Sequence, residues 1–199
     1  MMFLLMLACA LMAAGGGPLA QSRQNDQVEV KTDRFSEATT IKLKSQTILD
    51  TPDQFITMTL EAKFGDKKIR SEMDQAAEIM GEKAFVRFES QGKGVTDFGD
   101  KELRFIIDGK RLKVGESAAT LLKLPGRDPE LKPGFKSREI FTNGLSLAQM
   151  KQVAEGNHVE MRLGKYELVL SPAVLGNLRA FVNEFTKHAS SSKLKEKRP

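Results

Sequence analysis

The chain reads as a mainly β protein of the β+α kind: an antiparallel sheet or β-sandwich, with a short internal helix and a C-terminal amphipathic helix packed on it. Three observations lead there. Short stretches alternate apolar and polar residues along much of the sequence, the period of a strand with one wet face. Tight turns join such stretches in pairs, most clearly at Asp108-Gly109 and Gly164-Lys165. Near the end, apolar residues recur at helical spacing behind a Ser-Pro start.

The first element is a leader. Residues 1–20, MMFLLMLACALMAAGGGPLA, carry no charged side chain and run apolar from Phe3 to Ala14. A spanning helix needs ~20 apolar residues, so this run is short for a membrane span. With small residues and then polar Gln21-Ser22-Arg23-Gln24 behind it, it has the form of a secretory signal peptide. Cleavage is expected after Ala20. Pro18 at the minus-three position fits the small-x-small rule poorly, which keeps Ala14 and Gly16 as alternatives. The expected location is secreted or periplasmic. Cys9 is the single cysteine of the 199 residues. Leu7-Ala8-Cys9 offers a lipidation end, but few apolar residues precede it and the apolar run continues past it. Removal of the signal leaves no cysteine, hence no disulfide, thiolate nucleophile or cysteine-based metal site.

Residues 21–27 form a polar leader, and 28–188 a single β-rich domain. Val28–Thr32 alternates as a first strand. Thr39–Thr51 is rich in β-branched residues, with Ile41 and Leu43 opposite Lys42 and Lys44. Phe55–Phe64 places Ile56, Met58, Leu60, Ala62 and Phe64 on one face and is expected to pair antiparallel with its predecessor. Ser71–Met80 suits a short helix or an irregular crossover. Ala84–Ser90 reads as a strand, and Leu103–Asp108 with Lys110–Val114 as a hairpin about Asp108-Gly109. Leu121–Leu124 is a short apolar run. The Pro-rich stretch from Pro125 to Gly134 marks a division between two halves. Arg138–Thr142 reads as a strand closed by Asn143-Gly144.

Ser146 then caps a short helix to Glu155, with Leu147, Met150, Val153 and Ala154 on one face and Gly156-Asn157 at its end. Val159, Met161 and Leu163 alternate with polar residues, as do Tyr166, Leu168 and Leu170 across Gly164-Lys165. Ser171-Pro172 starts the last helix, since the serine can accept from a free N–H and proline at the first position gives up a donor without a partner. Val174, Leu175, Leu178, Phe181, Val182 and Phe185 share its apolar face, and Asn177, Arg179, Asn183 and Glu184 its polar one. The preceding hairpin is the expected platform.

The net charge of +5 is concentrated at the end, where Lys187, Lys193, Lys195, Lys197 and Arg198 stand against Glu196. Residues 189–199 are expected to form a basic, disordered tail, with weak contact to an acidic membrane surface as its alternative to solvation. The rest is nearly neutral, which argues against nucleic acid. One tyrosine and no tryptophan also argue against sugar platforms and base stacking.

Chemistry is sparse. Of the two histidines, His188 suits a helix C-terminus, and His158 belongs to a polar strand face with Glu160 and Arg162. No HxxxH, HxH or cysteine pair supports a transition metal, and no GxSxG or GxxxxGK[ST] is present. Asp97, Asp100 and Asp108 are the acids a carboxylate-dependent hydrolase would use, yet acids beside glycine are ordinary turn residues. Met58, Met73, Met80, Met150 and Met161 could line an apolar pocket or simply fill a core. The reading is an exported, non-enzymatic binding or interaction domain without cofactor, its partner an unidentified protein. The alternative is a periplasmic carrier of a small apolar ligand.

Overall fold

The computed structural model describes residues 25–35, 38–64, 83–94, 98, 102–114, 118–120 and 131–196. The leader, the Ser71–Met80 segment, Leu121–Leu124 and Pro125–Pro129 lie outside them. So do Asp97, Asp100, Met73 and Met80. Among the described residues ten strands form two antiparallel sheets: β1 (Val28–Thr32), β2 (Thr39–Asp50), β3 (Gln54–Phe64), β4 (Lys83–Gly92), β5 (Leu103–Ile107), β6 (Lys110–Lys113), β7 (Ala118–Thr120), β8 (Ser137–Ser146), β9 (Val159–Leu163) and β10 (Tyr166–Val169). Two helices, α1 (Leu147–Glu155) and α2 (Pro172–Glu196), complete the described fold. None is long and apolar enough to cross a membrane.

The larger sheet runs β1-β2-β3-β4-β8-β7 and the smaller β10-β9-β5-β6. Alternation decides which side of each is dry. Ile41 and Leu43 on β2, Ile56, Met58, Leu60 and Ala62 on β3, and Ala84, Val86 and Phe88 on β4 are buried, while the residues between them are not. A register shift between Leu43 and Gln46 turns Gln46 inward. There its side chain donates to the Gln27 side chain at 3.1 Å and the Lys44 carbonyl at 2.9 Å, and accepts from Asn177 of α2 at 2.7 Å. That network satisfies a buried amide that would otherwise be destabilising.

The strand expected to stop at Asn143-Gly144 does not stop. β8 continues to Ser146, with Asn143 opposite Val86 and Gly144 opposite Phe85. A continuous ladder with β4 outweighs the local turn preference of Asn-Gly. Nor do the chain's halves separate at the Pro-rich stretch, because β4 pairs with β8 and β5 with β9 across it.

α1 is capped as its sequence implies. Ser146 Oγ accepts from Gln149 N at 3.2 Å, and Gln149 Oε1 accepts from Ser146 N at 2.9 Å. α2 begins with Val174 N donating to Ser171 Oγ at 3.3 Å. All six residues of its apolar face are buried. Its platform is different from the expected hairpin: α2 packs on α1 and on β2, β3 and β1. Arg179 explains part of the α1 contact, donating to the Ala154 and Gly156 carbonyls at 2.6 and 3.1 Å. A cation at those orphan carbonyls also complements the helix dipole. α2 runs on to Glu196, so the boundary expected at 189 falls inside a helix. Ala189 is buried, Ser190 Oγ donates to the Thr186 carbonyl at 2.9 Å, and the Lys and Glu that follow favour helix.

Both sheets and both helices feed one core. Phe98 bridges the sheets edge-on, 5.7 Å from Phe141 of β8 and 5.8 Å from Tyr166 of β10 by ring centroids. Its N–H donates to buried Glu139 Oε2 at 3.0 Å, and its carbonyl accepts from Lys165 N at 2.8 Å.

Candidate functional site

The two hairpins read from the sequence lie side by side, because their first strands pair. Leu103 faces Leu163 and Ile107 faces Val159. Inward go Leu103, Phe105, Val159, Met161 and Leu163. By the period of two, the outward positions fall into two rows across the sheet. One row runs Glu167, Arg162 and Arg104; the other runs Val169, Glu160, Ile106 and Arg111. A groove of about 540 Å³ borders this sheet, lined by outward residues such as Arg104, Ile106, Arg111, Glu160, Arg162 and Glu167 and also by Leu103, Phe105, Leu112, Val114 and Met161.

The charges of this face are unevenly compensated. Arg104 is paired with Glu102, and Glu160 Oε1 lies 3.2 Å from His158 Nε2. Arg162 Nε donates to the Gly164 carbonyl at 3.0 Å. Arg104 and Arg162 stand directly opposite each other on neighbouring strands, where like charges repel unless each has a partner of its own. Arg111 and Glu167 take part in no ion pair among the described residues. Val169, two residues from Glu167 on β10, is 60% exposed.

Of the residues nominated from sequence that are described, only Met161 borders the groove. Asp108 sits at the β5–β6 turn with φ 49°, followed by Gly109 at φ 79°. Its carboxylate accepts from His158 N at 2.9 Å and Asn157 N at 3.2 Å, and its own N–H donates to the His158 carbonyl at 2.9 Å. These backbone donors hold its carboxyl below the usual carboxylate range. The acid is thus occupied in tying one hairpin to the other. His158 is exposed on the polar side with Glu160, and the His188 ring lies 6.0 Å from that of Phe64. Met58, Met150 and Met161 are core residues. Met58 and Met150 border a gap between the sheets of only about 10 Å³, room for about one water. Among the described residues no three His, Cys, Asp or Glu side chains gather as a metal site.

The outward residues of this face were visible in the sequence as the polar half of two hairpins. What alternation does not reveal is which hairpins are neighbours, and only that juxtaposition puts Arg104 opposite Arg162. No protein-family model matches the chain, and none of the curated proteins or solved structures compared with it matches either.

Proposed function

We propose that the chain is an exported, non-enzymatic binding domain that receives its partner in the groove over the smaller sheet. The opposed pair Arg104 and Arg162, in the floor of a concave face beside Ile106, carries the reading. Two neighbouring guanidiniums, one of them paired with Glu102, still hold further N–H donors for a carboxylate, and Arg suits planar two-point recognition. The partner is a protein segment that presents an acidic side chain next to an apolar one.

The carrier reading is favoured by a different observation, the groove's volume, which falls in the ~300–1,000 Å³ range of small-molecule sites. A ligand there would be an amphiphilic acid rather than a wholly apolar molecule, since six charged side chains line the space.

Native mass spectrometry of the protein purified from its own envelope fraction, beside a denatured control, tests both. The expected result is an added mass lost on denaturation and absent from Ile106→Arg. A protein-sized adduct supports the interaction domain, and one of a few hundred daltons the carrier. A bare chain mass, or an adduct that survives Ile106→Arg, overturns the site. Ile106 is not a core residue, so the variant should keep its fold.

A further inference from the structure

We infer that β1 is the seam of a homodimer: this open edge of the larger sheet pairs antiparallel with β1 of a second copy, about a two-fold axis at Val30. Among the described residues β1 has one neighbouring strand, β2, so its other side presents backbone N–H and C=O groups with no strand against them. Two usual guards of such an edge are missing. β1 holds no proline, and its ladder with β2 runs unbroken from Val28 opposite Leu43 to Thr32 opposite Thr39, so no bulge turns the edge away. Val30 stands opposite buried Ile41 on the dry side of the sheet and is nevertheless 42% exposed. A further strand on this edge covers it.

Charge selects the occupant. The dry side must continue into a dry side, which leaves β1 three centres about which it can pair with itself over three residues or more: Glu29, Val30 and Lys31. The first sets Glu29 against its own copy, the last does the same with Lys31, and like charges directly opposite repel. Centred on Val30, all five residues pair, Glu29 of each copy faces Lys31 of the other, and the two Val30 side chains meet. A lysine alone defends an edge; with Glu29 at its mirror position it becomes a partner. The surroundings agree. On the wet face Glu61 lies opposite Lys42 and Lys42 opposite Glu29, so Lys31 of the second copy continues a row of alternating sign. Beyond the strand, Asp26 and Arg34 stand equally far from Val30 with opposite charge, and Asp33 falls against neutral Gln27. Within its own strand Lys31 lies 2.8 Å from Glu29, a contact of exposed groups that is worth little and is readily exchanged. The interface is isologous, as in most soluble dimers. It is smaller than the ~1,200–2,000 Å² of a standard one, so the dimer depends on concentration. The seam lies on the larger sheet and is independent of the groove on the smaller one; a doubled chain mass belongs to the seam.

Sedimentation velocity from about 1 to about 300 µM, on the protein as its own cell processes it, reads the pairing. The parent should pass from monomer to dimer over that span. Val30→Lys should stay monomeric, since an inward-pointing charge at an edge blocks a further strand. Val30 is half-exposed, so the variant should keep its fold, with an unchanged far-ultraviolet spectrum. Glu29→Lys and Lys31→Glu each set like charges together at both pairs and should weaken dimerisation about tenfold. Mixed in equal amounts, the two variants should recover it, because each supplies the charge that the other lacks. No contact within one β1 strand can produce that recovery, as neither variant keeps both signs there. A parent that is monomeric throughout overturns the proposal, and so does a dimer that survives Val30→Lys. A mixture that associates no better than its components overturns the register.

Discussion

Asp108 shows how much one side chain can do when it is placed in a turn. Its left-handed backbone lets two residues reverse β5 into β6, and its carboxylate holds the start of β9 through two backbone N–H groups. Because its carboxyl titrates below the ordinary value, its contribution is complete above the unfolded value of about 3.9. It is lost as pH falls through the lower folded-state value. Asp108→Asn keeps the turn and one acceptor but removes the titration. Thermal melts from pH 6 to pH 2.5 should therefore show a smaller acid loss in the variant than in the parent. The turn itself was legible in Asp-Gly, but the carboxylate's partners were not, since they belong to a segment far along the chain. Asn177 and Arg179 repeat the lesson. Periodicity assigns both to the polar face of α2, yet one reaches buried Gln46 and the other the carbonyls ending α1. A helical period separates apolar from polar, and it cannot say which polar groups meet a neighbour at the border.

At the scale of elements, the passage from α1 into β9 turns on Gly156. Its φ of −60° is open to any residue, so its requirement is space. A Cβ there would come within 2.7 Å of both Ile107 Cγ2 and Val159 Cγ2. Gly156→Ala should destabilise by about 1–3 kcal/mol, the usual range for overpacking, read as a lower urea midpoint at unchanged slope. Sequence reasoning found this glycine as a helix stop but could not see the β5 side chain pressed against it. Strand limits were legible wherever alternation ended at a real turn, as at Thr51-Pro52-Asp53. They failed at Asn143-Gly144, where pairing with β4 carries β8 onward. The bulge in β2 was hidden for the same reason, since only a partner strand defines an extra residue.

For the whole molecule, most strands were readable one by one, β7 excepted, and their assembly into sheets was not. The two-sheet, helix-packed architecture follows from alternation and one amphipathic face, whereas strand order depends on contacts distant in sequence. The shared core makes a further prediction. Phe181, wholly buried on α2, belongs to the cluster that unites both sheets. Phe181→Ala should lower stability by about 3–5 kcal/mol, with near-ultraviolet and far-ultraviolet signals still melting at one midpoint. Separate midpoints would mean that the sheets unfold independently. The interleaving of strands also bears on the order of events as the chain is made. When β5 and β6 leave the ribosome they form a hairpin with one oily side, and β9, the strand that widens it into a sheet, is still unsynthesised. β4 likewise waits for β8. The apolar sides of half-built sheets are in the meantime open to any other sticky chain, the kind of exposure that makes a growing chain prone to aggregate.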